Sequence, residues 1–389
     1  MKQIVILTTT RAEYGLLKPL MIKLGGDKEI SLKVAVTGTH LSPEFGMTVR
    51  EIEEDGIAID KKIEIMMSSD TPVAASKSMG LALISFSEYF EECRPDALIV
   101  LGDRFETLAV CIAAMNARIP IMHIHGGETT EGAVDEAVRH SITKMSSLHF
   151  ASTKEYRKRI IQMGEAPERV FDVGALGVEN ALGTKLMSLE ELEGSIGVKI
   201  GDNYAVATFH PVTLEEDSAK LQAEDLLSTA AKHPDIMFLF TKANADTGGR
   251  IINELTAGYA KKYKNIILVD SLGMRRYLSA LKHAKFVIGN SSSGLIEAPS
   301  FNIPTIDIGD RQKGRIAGDT VIHSDPAPES IEEAIEKAMS KAFTDSIADA
   351  VSPYGNGNTS DKIVQIVKDH LLNDKLDLKK RFHDIDFTF

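Results

Sequence analysis

Short apolar, β-branched runs alternate with stretches of helical period along most of this chain, and no other feature narrows its fold so far. Residues 4–7, 33–36, 97–101, 120–124 and 148–151 read as buried strands, with helices over 16–24, 73–92 and 106–116 between them. A second series begins near residue 203. Its strands fall at 204–209, 236–241, 266–269, 286–288 and 304–308, and its helices at about 219–232, 250–263, 274–281 and 295–300. Such alternation is the mark of βαβ units and a parallel sheet. The stretch 183–203 between the series is polar, glycine-containing and weakly patterned, as a join between domains is. The predicted fold class is therefore α/β, with two doubly wound, Rossmann-like domains facing a cleft. One spans 1–182 and the other 183–389, the final helices being free to pack back on the first.

At 389 residues the chain exceeds one ordinary core and suits two domains. No apolar run approaches the roughly 20 residues that span a bilayer, and the N-terminal apolar run is too short for a signal peptide. Two cysteines, Cys93 and Cys111, make a disulfide framework implausible and point to a reducing, cytoplasmic setting. A net charge of −12 argues against nucleic-acid and anionic-membrane partners. It leaves room for a phosphate-bearing small ligand, which needs only a local positive site.

In sheets of this type ligands collect beyond the carboxyl ends of the strands. Polar residues stand just past six expected strands: Thr8 to Arg11, Thr37 to His40, Gly102 to Arg104, His123 to His125, Phe209 to Pro211 and Gly289 to Gly294. Among these, "IGNSSSGLIEAPS" sets small residues between a strand and a helix. Glycine and serine let backbone approach an anion, and the first helical N–H groups are unpaired. The competing reading is an ordinary serine cap and turn. No Walker lysine follows, which disfavours a P-loop nucleotidase. Glu297 can accept hydrogen bonds from two ribose hydroxyls or merely complement a helix dipole. Arg311 and Arg315 offer guanidinium forks suited to phosphate, or are simply solvated.

"HIHGGETTEGAVDEAVRH" is the most chemically loaded stretch. Strand alternation puts His123 and His125 on one face, yet a zinc site is disfavoured: His-Glu-x-x-His is absent and neither cysteine is near. From Gly132 the period turns helical, so Asp135 and Arg139 lie four apart and can pair. Asp103 ends a strand, where it can react, cap a helix or orient Arg104. Carboxylates converging on one cleft raise one another's pKa, so that one donates a proton while another accepts.

Taken in order, "TTRAEYGLL", "AVTGTHLSPEFGMTV", "LGDRFETL", "HIHGGE", "DEAVRHSITKMSSLHF", "FHPVT", "GNSSSGLIEAPS", "GDRQKGR" and "SPYGNG" resemble the hydrolysing UDP-N-acetylglucosamine 2-epimerases that open sialic acid synthesis. The resemblance spans nearly the whole chain. It implies glycosyltransferase-B architecture, UDP held mainly by the second domain, and no metal or other cofactor. It also implies a homo-oligomer, dimer or tetramer. Carried over by position, Asp103, Glu128 and Asp135 are acid–base candidates, and Arg139 orients Asp135 or meets the departing diphosphate. His210 hydrogen-bonds phosphate. Arg11, Arg104, Asn244, Ser291, Ser292, Glu297 and Arg311 match UDP-binding positions, with His40 beside them. Some relatives carry glutamate where this chain has His125, which leaves His125 as a proton relay. A close branch acts on UDP-2,4-diacetamido-2,4,6-trideoxyglucose, toward legionaminic acid. A glycosyltransferase and a non-catalytic UDP-sugar binder are the alternatives of other classes.

Overall fold

The computed structural model describes residues 1–69, 71–131, 134–211, 218–243 and 249–386. Asn244 lies outside them. Thirteen strands are found among the described residues. β1 (Lys2–Thr8), β2 (Ile30–Val36), β3 (Ile59–Lys62), β4 (Ala97–Leu101), β5 (Ile121–Ile124), β6 (Leu148–Ala151) and β7 (Val170–Asp172) form one sheet. β8 (Tyr204–Thr208), β9 (Met237–Thr241), β10 (Ile266–Val269), β11 (Phe286–Gly289), β12 (Thr305–Ile308) and β13 (Val321–Ser324) form the other. Their orders are β3-β2-β1-β4-β5-β6-β7 and β10-β9-β8-β11-β12-β13, and every pairing is parallel. Both sheets are doubly wound, as the alternation of strands and helices predicts.

The chain divides into two compact units. The first comprises Met1–Glu128, Asp135–Asn180 and Tyr354–Phe389; the second comprises Thr129–Val134 and Ala181–Pro353. In each, successive strand residues enter cores on opposite faces of the sheet. Ile4 and Ile6 join one apolar cluster of the first unit while Val5 and Leu7 join the other. Ala205 and Ala207 are likewise separated from Tyr204 and Val206 in the second. Continuous apolar strands such as Ala97–Leu101 are stable only with both faces covered, which helices on both sides accomplish.

The helix after β1 runs Arg11–Gly25, starting five residues before its apolar period becomes clear because Thr10 caps it, accepting from Glu13 N. Pro19 sits inside it and cannot donate to Gly15 O. Asn180 Nδ2 makes that bond instead, at 2.8 Å. The helix Thr359–Leu372 returns to the first unit, where Ile363, Val367 and Leu371 share a core with Leu17, Leu20 and Leu24. Beyond it, Lys380 Nζ contacts both oxygens of buried Glu165 at 2.8 Å, and Arg169 Nη1 donates to Asp377 O at 2.8 Å.

Three strands escape the apolar-run criterion: β3, β7 and β13. All lie at sheet edges. An edge strand is half covered, so Ile-Asp-Lys-Lys and Val-Ile-His-Ser need no continuous apolar run. The short helix of the serine loop also differs from expectation. It occupies Ser292–Ile296 and gives way to a 3-10 turn at Ala298–Phe301. Ser291 caps it early, and Pro299, lacking an N–H, ends the α-helical ladder.

Candidate active site

Strand order reverses between β1 and β4 in the first unit and between β8 and β11 in the second. Loops leaving the two strands diverge there, opening the crevice in which such sheets hold ligands. Most of the residues singled out from sequence stand on these loops or the ones beside them.

In the first unit Arg139 organises the acidic groups. Its guanidinium is almost fully buried and forms an ion pair with Asp103, on the loop after β4. Nη1 donates to Glu136 Oε2 at 3.1 Å and to the backbone carbonyl of Glu128 at 3.0 Å. Burial works against this charge, but Asp103, Glu128 and Glu136 outweigh it and hold Arg139 above its ordinary pKa range. An uncompensated buried guanidinium costs several kcal/mol, on the order of 3–5, so these partners come as a set. Asp135 opens the same helix, Asp135–Met145, one turn before Arg139. Ion pairs from Arg139 reach a neighbouring strand end at Asp103 and, on its own helix, Glu136.

Glu128 is buried too. Its Oε1 accepts from Ser152 Oγ at 2.7 Å and lies 3.5 Å from His125 Nδ1. His125 does not continue the strand. β5 ends at Ile124, and His125 takes left-handed backbone at φ 64°, so it departs from the alternation that would put it on His123's face. Gly127 follows at φ 75°, where a Cβ would meet Tyr156 O at 2.5 Å. The tight turn carries Glu128 back toward the sheet end, against Ser152 after β6.

The remaining candidates of this unit have local partners. Arg104 grips buried Glu106 through Nε (3.2 Å) and Nη2 (3.3 Å). Arg11 faces Glu51 at 3.6 Å. His40 is buried between the hydroxyls of Thr8 (3.0 Å) and Thr48 (2.8 Å), and burial lowers its pKa to about 4, so it is neutral and ties the loop after β2 to β1.

Sequence reasoning passed over Glu13, on the first turn after β1. Its Oε2 accepts from Thr9 N and Thr9 Oγ1, both at 2.8 Å, while Oε1 is buried with no hydrogen-bond partner among the described residues. Burial pushes this carboxyl up to about 7 against the pull of Arg104. An acidic residue in a first helical turn looks like dipole complementation, which hid it.

In the second unit the hub is Asn290. Its side chain pairs with the backbone of His210 in both directions, accepting from His210 N at 2.7 Å and donating to His210 O at 2.8 Å. Its own carbonyl accepts from Arg311 Nη1 at 3.0 Å and Gln312 Nε2 at 2.8 Å. One residue thereby joins the loops after β8, β11 and β12, bringing His210, Ser291, Ser292 and Arg311 into one neighbourhood. The His210 ring is buried, and burial, then Arg311, hold its pKa well below the usual range. Glu297 follows at the end of the short helix. Gly289, at φ 135°, is required where it stands, since a Cβ would lie 1.9 Å from Thr208 O. Arg315 is engaged by Thr129: its Nε donates to Thr129 O at 2.9 Å, and Thr129 Oγ1 donates to Gly314 O at 2.6 Å.

Among the described residues no cluster of His, Cys, Asp and Glu could hold a metal ion, and no helix is long and apolar enough to cross a membrane. The arrangement offers proton donors and acceptors around a buried cation in one unit, and hydroxyls, backbone and a guanidinium at a strand end in the other.

The chain is similar to known proteins. The family model described as UDP-N-acetylglucosamine 2-epimerase matches residues 22–368. The chain is 42% identical over 386 residues to polysialic acid biosynthesis protein P7 of Escherichia coli, covering 99% of this chain and 98% of that protein. It is also 42% identical over 325 residues to the GDP/UDP-N,N'-diacetylbacillosamine 2-epimerase (hydrolyzing) of Campylobacter jejuni, covering 83% and 84%. The crystal structure of UDP-GlcNAc 2-epimerase from Neisseria meningitidis bound to UDP-GlcNAc has the same fold, with a TM-score of 0.82 at 19% identity over 94% of this chain and 99% of that one. This chain belongs, as an enzyme, to the UDP-N-acetylglucosamine 2-epimerase family.

Proposed function

We propose that the protein is a hydrolysing UDP-N-acetylglucosamine 2-epimerase that releases N-acetylmannosamine and UDP. A base of the first unit takes the proton from C2 of the sugar as UDP leaves C1 on the opposite face, giving a glycal. Water then adds: its oxygen goes to C1 and a proton returns to C2 with inverted configuration. No oxidant or reductant enters this balance. It needs proton transfer at C2 and charge stabilisation for the departing diphosphate.

The observation that carries the reading is the Arg139 cluster, in which one buried guanidinium gathers Asp103 and the backbone of Glu128, with His125 beside the Glu128 carboxylate. Asp103, Glu128 and Asp135 are the acid–base groups in this reading, and His125 relays protons through Glu128. His210, Ser291, Ser292, Glu297 and Arg311 bind UDP in this reading, and Arg11, Arg104 and His40 are nucleotide-sugar groups by position. Asn244 belongs to the same set by position. The near-complete match to a polysialic acid biosynthesis protein supports N-acetylglucosamine as the hexose.

A second substrate has its own support. The 42% identity to the Campylobacter jejuni diacetylbacillosamine enzyme favours the UDP-2,4-diacetamido-2,4,6-trideoxy sugar in the same reaction. Purified protein given each UDP-sugar separately, with UDP release and free sugar followed by NMR, decides between them. Free N-acetylmannosamine supports the first substrate, and turnover of the diacetamido sugar alone selects the second. UDP-N-acetylmannosamine without free sugar contradicts hydrolysis.

A further inference from the structure

We propose that His123 is a positioning residue for the reacting groups, its ring bracing the three segments that carry Asp103, Glu128 and Arg139. This rests on the assignment of that cluster to C2 chemistry. His123 occupies the middle of β5 and is fully buried. Its Nε2 lies 2.7 Å from the carbonyl of Gly102, the residue directly before Asp103. Its Nδ1 lies 3.2 Å from Thr143 Oγ1, one turn beyond Arg139 on the same helix. That hydroxyl is also 3.0 Å from Arg139 O. The third contact is steric. A Cβ built on Gly126, between His125 and Glu128, would fall 2.9 Å from both His123 Nδ1 and Thr143 Oγ1.

The partners define the proton position. A backbone carbonyl only accepts, so Nε2 carries the hydrogen, and the Nδ1 lone pair shares the single hydroxyl hydrogen of Thr143 with Arg139 O. Burial, the largest influence, lowers the ring's pKa to about 3, which keeps this neutral form through the working range. Gly102 has left-handed backbone at φ 76°, so the 102–103 peptide is a turn whose orientation its carbonyl contact holds. Without that donor the part-buried Gly102 carbonyl loses its protein partner, and the peptide rotates to recover one. Asp103 then moves relative to Arg139. Displacement of a reacting group by about 1 Å costs roughly a hundredfold in rate.

The test compares wild type with His123→Phe, His123→Gln and Gly126→Ala, using the UDP-sugar the wild type turns over. Phenylalanine fills the space without a donor, so kcat should fall about a hundredfold. KM and calorimetric UDP affinity should stay within about threefold, because no ground-state contact is lost. Glutamine restores an N–H and should recover at least about a tenth of the wild-type kcat. Gly126→Ala forces the ring aside and should reproduce the phenylalanine phenotype. Nitrogen-15 NMR of the wild type should show the Nε2–H neutral tautomer at neutral pH, an outcome independent of how any variant folds. Unchanged kcat in His123→Phe and Gly126→Ala, or an Nδ1–H tautomer, overturns the bracing role. Failure of the wild type on both UDP-sugars would count against the functional reading instead.

Discussion

Asp103 and Arg139 form an ion pair of unequal exposure: the arginine side chain is 1% exposed and the aspartate 25%. The guanidinium is locked inside, while the carboxylate reaches toward solvent and can meet a substrate.

Asp103→Asn keeps the shape and removes the charge. Turnover should fall by about 10²–10⁴, the range for losing a positioned acid–base group, with UDP affinity kept within roughly tenfold. Steady-state kinetics and calorimetry on one preparation check this. An equal loss of UDP affinity would reassign Asp103 to ligand positioning.

On the nucleotide side, Asn290→Asp replaces an N–H that donates to His210 O by an oxygen that repels it. The loops after β8 and β11 lose a buried hydrogen bond, worth about 1–3 kcal/mol when left unmade. UDP affinity should drop roughly ten- to hundredfold. Ser292→Ala and Glu297→Ala should also weaken UDP more than they lower kcat at saturating sugar. Unaltered affinity in all three would remove the nucleotide from this loop.

Glu13 provides a pH signature. Its folded pKa is raised from 4.5 to about 7, chiefly by burial. The native state therefore holds a proton that the unfolded chain releases between these values, and stability falls as pH rises across them. Below 4.5 both states are protonated, and above about 7 the penalty is constant. Glu13→Gln removes this dependence. Urea unfolding at pH 4.5 and pH 8 should show the variant gaining up to about 3 kcal/mol on wild type across that window. A constant difference would mean that the carboxyl ionises normally in the folded protein.

These residues also show what is legible in a bare sequence. The serine loop, the strand ends and the interior strands stand out because fully covered strands must be apolar throughout. Edge strands β3, β7 and β13 are invisible to that criterion, being half exposed. Asp103, Glu128 and Arg139 are identifiable as a set, but their pairing is not. Spacing along a helix offers Asp135 to Arg139, and it cannot show the further bond to Asp103, which depends on how β4 and β5 align. His125 turning left-handed, and Asn290 reaching His210 eighty residues away, are likewise products of tertiary packing.

Gly289 tests the close approach beneath the serine loop. Gly289→Ala places a methyl 1.9 Å from Thr208 O at φ 135°, and should cost about 3 kcal/mol or more in urea unfolding. Gly194, within the helix Leu189–Ile196, has nothing within 4 Å of such a Cβ. Gly194→Ala should stabilise by about 0.5–1 kcal/mol. Similar effects at both sites would contradict the packing described at β8 and β11.

We propose that acidic groups of the first unit remove hydrogen from C2 of the hexose as the diphosphate departs. Turnover of UDP-N-acetylglucosamine in deuterium oxide, with the released sugar read by proton NMR and mass spectrometry, tests it directly. One deuterium at C2 of N-acetylmannosamine is the predicted result, abolished together with turnover in Asp103→Asn. Free sugar that keeps its original hydrogen at C2 would contradict the account.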